Sequence, residues 1–141
     1  MPLLEQVLEK NSKDVRLIFK NYPIPNHPLA GPAAMAALAA QEQGKFWEFH
    51  NKLFESGDRY TEERIDTIAR ELSLDMERFN RERIDEKRQK QILQDLQDAA
   101  KAGVKGTPSI FVNGRLLKTR SLEGFQEIID AELAKKGQRR Q

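Results

Sequence analysis

Gly103-Val-Lys-Gly-Thr-Pro-Ser-Ile-Phe-Val-Asn-Gly-Arg-Leu-Leu117 is the stretch on which the reading of this chain turns. Two short apolar runs, 109–112 and 116–117, flank Asn113-Gly114. That pair favours the positive backbone angles of a tight primed turn, so the stretch predicts a β-hairpin. Thr107-Pro108 stands just before it. Proline has no N–H to give a sheet ladder and belongs at the mouth of a strand. An X-Pro bond in a tight turn is also where cis peptides occur.

The sequence ahead of the hairpin is helical in pattern. Asp85 opens a helix with Ile92, Leu93, Leu96 and Ala100 inward, stopping at Gly103. Asp75 caps a shorter one that holds Met76 and Phe79, and Thr61 caps a third with Ile65, Ile68, Ala69 and Leu72 at helical spacing. Between Gly44 and Gly57, Phe46, Phe49 and Leu53 line one face, with Trp47, His50 and Phe54 beside them. The alanine run at 32–40 favours helix. Before it, Pro23, Pro25, Pro28 and Pro32 punctuate a loop. Residues 14–21 alternate instead, with Val15, Leu17 and Phe19 on one face. Ile18 breaks the polar face, which predicts a strand covered on both sides. Leu3, Leu4, Val7 and Leu8 predict a first helix ending at Lys10. After the hairpin, Ser121 caps a last helix with Leu122, Phe125, Ile129 and Leu133, and a polar, basic tail begins at Gly137.

Composition narrows the chemistry. A chain of 141 residues, 33% charged and 38% hydrophobic, predicts one soluble globular domain. Basic and acidic residues number 24 and 22, so there is no overall basic field to hold nucleic acid. No apolar run reaches the ~18 residues of a membrane span. The first residues lack the basic-then-apolar pattern of a signal peptide. Cysteine is absent, which excludes disulfides, thiolate metal sites and a cysteine nucleophile within these residues. The two histidines, His27 and His50, are far apart in sequence, so no metal site or cofactor is expected. His27 reads as a solvated loop residue and His50 as a packed or half-exposed one. Thr107 has no evident base to activate it as a nucleophile, so no catalytic residue is assigned. The charge-dense run 78–90 reads as a solvated helix face.

Four segments in order carry a family resemblance: Leu3-Leu-Glu-Gln, Val15-Arg-Leu-Ile-Phe-Lys-Asn-Tyr-Pro, Gly44-Lys-Phe-Trp-Glu-Phe-His-Asn-Lys-Leu-Phe and Gly106-Thr-Pro-Ser-Ile-Phe-Val-Asn-Gly. Together they resemble the DsbA-type thiol–disulfide oxidoreductases of the thioredoxin superfamily, over essentially the whole chain. The resemblance implies an α/β thioredoxin-like fold that is mostly helical by content. It implies one domain over 1–141, with a helical insertion at 30–102 and a cis-proline loop, hairpin and last helix at 103–136. The family's first central strand and its Cys-x-x-Cys turn precede the first helix, so the chain reads as an N-terminally truncated member.

Without cysteine there is no thiolate to attack a disulfide, so the chain alone is expected to be inactive in exchange. The resemblance implies that Thr107 and Pro108, shaped by Val104 and Gly106, present backbone groups to an extended peptide or unfolded protein substrate. Three alternatives stand beside it: a non-catalytic peptide-binding or scaffold module using the same edge, a loop that only closes the fold, and a helical interaction domain with only incidental similarity. Sheet edges left without a partner predict either a homodimer or re-pairing of residues 15–21 against the hairpin or a neighbour. The parent family works outside the cytoplasm, in the periplasm or cell envelope; neither nucleic acid nor membrane is an expected partner.

Overall fold

The computed structural model describes residues 1–138, the side chain of Asp58 excepted. The chain divides into two compact units, Met1–Phe19 with Val104–Gln141, and Lys20–Gly103.

The regular elements of Lys20–Gly103 are all helical: α2 (Ala30–Gln41), α3 (Phe46–Glu55), a single 3-10 turn (Gly57–Arg59), α4 (Glu62–Glu71), α5 (Met76–Glu82) and α6 (Glu86–Lys101). The alanine run makes α2 its centre, touching α3, α4, α5 and α6. Ala36, Ala39 and Ala40 are fully buried, and side chains this small let four neighbours approach one helix. Phe49 and Phe79 then fill the space between helices, their ring centroids 5.8 Å apart, with Ile65 and Ile68 beside them.

The helix starts follow local chemistry. Thr61 Oγ1 accepts from Arg64 N at 3.1 Å, Asp75 from Arg78 N at 3.1 Å, and Asp85 from Lys87 N at 2.7 Å. Each such cap is worth about 1 kcal/mol. Arg88 Nη2 reaches Glu42 Oε1 at 2.8 Å and Glu82 Oε2 at 3.0 Å, joining α6 to the ends of α2 and α5.

The inward face of α6 differs from expectation. Ile92 is buried and Leu96 half-buried, but Leu93 is 57% exposed and Ala100 is exposed as well. The carboxylate of Asp95 takes the inner position. Its Oδ2 accepts from Asn21 N at 2.9 Å and from Asn21 Nδ2 at 2.8 Å, and Lys20 Nζ stands 3.5 Å from Oδ1. A buried carboxylate with three donors is satisfied, so α6 turns that side inward and leaves Leu93 in water.

The other unit packs α1 (Pro2–Lys10) against α7 (Leu122–Gln138), with the hairpin β1 (Phe111–Val112) and β2 (Arg115–Leu116) on them. Val7, Leu117, Phe125 and Ile129 form its core, and Leu3, Leu4, Val15, Ile110 and Val112 pack against it. Asn11 and Gln126 exchange two side-chain hydrogen bonds of 3.1 Å and tie the end of α1 to α7. The strands are shorter than the apolar runs predicted, two residues each.

The strand predicted over residues 15–21 does not form. Among the described residues the hairpin is the only ladder, and the backbone of Arg16, Leu17 and Ile18 makes no hydrogen bond. Nor is the segment covered on both sides, because Ile18 is 62% exposed. An alternating segment becomes a strand only when a neighbour supplies the ladder. The expected tail also begins later: Gly137 and Gln138 belong to α7, and residues 139–141 lie outside the described residues.

Candidate functional site

The stretch around Thr107 is placed by two ends. On one side α6 stops at Lys101, and Gly103 turns the chain with φ +74°. A left-handed angle of this kind suits glycine at a helix C-terminus. On the other side the hairpin is held by Asn113 (φ 49°) and Gly114 (φ 80°), the two positive angles of the primed turn. Phe111 pairs with Leu116 and Val112 with Arg115, and Leu117 N donates to Ile110 O at 2.8 Å.

Glu132 on α7 secures the turn. Its carboxylate accepts from Lys135 at 2.9 Å, from Arg115 at 3.0 Å and from Asn113 at 3.4 Å. Lys135 first, then Arg115, hold its pKa down to about 2. Sequence reading missed this residue. The signal lay in two basic residues, one three positions along the helix and one in the turn, with a single acid able to serve both.

Of the four residues expected to bind substrate, Val104 is half-buried, while Gly106, Thr107 and Pro108 are exposed. The Thr107–Pro108 peptide bond is cis. Ser109 Oγ donates to Gly106 O at 2.7 Å and closes a small turn around the proline. Among the described residues the N–H and C=O of Thr107 make no hydrogen bond, although the ladder begins only four residues on. An exposed backbone donor and acceptor beside a strand are what strand addition uses. Neither histidine falls in this unit, so Thr107 has no imidazole there to activate it.

His50 lies in the helical unit and is buried, 3% exposed. It stacks on Phe54 at 4.4 Å between centroids and meets Trp47 edge-on at 5.5 Å. Desolvation lowers its pKa, opposed by the hydrogen bond that Nδ1 can donate to Asn51 Oδ1 at 3.3 Å. Of the packed and half-exposed placements the sequence allows, the packed one is found. No group of three His, Asp or Glu among the described residues is arranged to hold a metal ion.

Comparison with known proteins adds to this geometry. "Probable disulfide bond formation protein D" of Bacillus anthracis is 31% identical over 141 residues, covering 94% of this chain and 64% of that protein. "Na(+)/H(+) antiporter NhaA 3" of Salinispora tropica is 40% identical over 102 residues, 72% of this chain but only 16% of that protein. The chain thus spans less than two thirds of either relative. A solved thioredoxin-like oxidoreductase from Silicibacter pomeroyi DSS-3 superposes with a TM-score of 0.81 at 29% identity, over 95% of this chain and 77% of that one. The sequence pattern of the family described as thioredoxin matches residues 2–131. A helical unit carried between the first helix and a proline-gated hairpin, with that pattern running almost end to end, settles the relationship: the chain belongs to the thioredoxin family.

Proposed function

We propose that this chain is the substrate-presenting part of a DsbA-like thiol–disulfide oxidoreductase. In this reading Thr107 pairs its backbone with an extended stretch of an unfolded protein, Pro108 fixes the approach, and Val104 and Gly106 shape the loop. The unbonded N–H and C=O of Thr107, exposed beside β1, are the observation that carries it. Family membership and the relation to a disulfide bond formation protein support it. The 141 residues hold no cysteine, so any thiolate would have to come from outside them. The place of action that goes with this reading is outside the cytoplasm.

The absent cysteine favours a second reading, a non-catalytic peptide-binding or scaffold module on the same edge. Transport is not carried over from the antiporter relatives, because the match covers 16% of that protein.

Insulin reduction and peptide binding test the pair. The chain alone should give no turnover above blank, and turnover would overturn the assignment of its chemistry. An extended fluorescent peptide should bind, and Thr107→Pro, which removes the open N–H, should abolish binding with the circular dichroism unchanged. Equal binding by the variant would move the site elsewhere.

A further inference from the structure

The charge of this chain is balanced as a whole but not along its length. Residues 104–122 contain Lys105, Arg115, Lys118 and Arg120 and no acidic residue. Arg115 is taken up by Glu132 at 3.0 Å. The other three are exposed, and none forms an ion pair among the described residues. Glu123, the next acid along the chain, does not reach Arg120 or Lys118 in an ion pair.

These cations flank the hairpin along the chain. Its register pairs 111 with 116 and 112 with 115, and continues through the Leu117–Ile110 hydrogen bond. Lys118 follows Leu117 directly, Arg120 stands two residues further on, and Lys105 precedes Thr107 by two residues. Three exposed cations without an ion pair among the described residues therefore lie within two residues of Thr107 or just after the hairpin that follows it. Side chains alternate across a strand, so Phe111 and Leu116 share the hairpin face turned away from Ile110 and Leu117. Phe111 is 37% exposed and Leu116 53% exposed, while Leu117 is buried.

We propose that the Thr107 edge selects extended peptide segments in which acidic residues alternate with apolar ones. This rests on the peptide-binding reading above and names the class of peptide. The backbone of the peptide pairs with Thr107 and gives no sequence preference. Its carboxylates meet Lys105, Lys118 and Arg120, and its apolar side chains meet Phe111 and Leu116. Complementary charge chooses among partners and speeds encounter more than it adds affinity.

The test uses the 141-residue chain and two fluorescein-labelled decapeptides, one alternating valine with glutamate and one alternating valine with lysine. At low ionic strength the glutamate peptide should bind about tenfold tighter, since three exposed pairs each contribute modestly. The difference should vanish near ~1 M salt, where charges are screened within a few ångströms. The triple variant K105E/K118E/R120E should reverse the preference while leaving the far-ultraviolet circular dichroism unchanged. Equal binding of both peptides would overturn the charge selection and leave the peptide-binding reading standing. Binding of neither peptide would overturn both. A twenty-nucleotide single-stranded DNA that competes as well as the glutamate peptide would also overturn the proposal, in favour of a general polyanion surface.

Discussion

The helical unit and the hairpin unit treat their polar groups differently. In Lys20–Gly103 the predicted caps are occupied, Asp95 holds the backbone of Asn21, and Arg88 is shared between Glu42 and Glu82. In the other unit, among the described residues, the backbone of Arg16, Leu17, Ile18 and Thr107 forms no hydrogen bond and Lys105, Lys118 and Arg120 no ion pair. Exposed groups of this kind are open to water or to another molecule. On the proposed reading the helical unit is scaffold, and the hairpin unit is where a peptide is read.

The largest effect expected from breaking this contrast lies in the scaffold. Phe49→Ala empties a fully buried position between α2 and α5. It should cost about 3–5 kcal/mol in denaturant unfolding, the usual range for a buried phenylalanine. A loss under ~1 kcal/mol would mean that the alanine-centred core is loosely packed.

The hairpin unit has its own closed point. A methyl group on Gly124 would run into the carbonyl oxygen of Thr119, which is backbone and cannot swing aside. Gly124→Ala should therefore destabilise by about 1–3 kcal/mol through overpacking. Calorimetry that showed a neutral or raised Tm would contradict the close approach.

Acid should separate the two units by pH. His50 has its pKa lowered by burial, so the unfolded chain takes up a proton first, near 6.5. The stability it contributes is complete above that value and is lost as pH falls below it. Glu132 is depressed from 4.5 to about 2, so its contribution is complete above 4.5 and is lost as pH falls through about 2. Amide resonances of the helical unit should report the first window and those of Asn113 to Arg115 the second. His50→Gln should remove only the first dependence and Glu132→Gln only the second; a shared window would show that the two groups do not report separate regions.

The smallest effect on stability should come from the open loop. Thr107→Pro breaks no internal hydrogen bond and sits at an exposed position, so unfolding should change by less than ~0.5 kcal/mol. A large loss would make the loop part of the scaffold.

What could be read from the sequence was what local chemistry decides. Thr61, Asp75, Asp85 and Ser121 act on backbone three residues away or less, and Asn113-Gly114 makes its turn by itself. The failures are non-local. Alternation at residues 15–21 says which side chains share a face, but only a neighbouring strand makes a ladder. Leu93 faces water because Asp95 finds Asn21 seventy-four residues away in sequence, and no helical pattern contains that distance. Val104, Gly106, Thr107 and Pro108 came from a family resemblance, not from their composition. The acid-free run 104–122 was present in the sequence throughout, but a net charge of +2 taken over the whole chain conceals it.

Amide mapping is the most direct measurement. The 15N-labelled chain is titrated with the valine–glutamate decapeptide and each backbone resonance is followed. The largest shifts should fall on residues 104–107 and 109–112, with α2 to α6 unmoved. Shifts centred on Trp47 and Phe54, or spread evenly over the helical unit, would contradict the account.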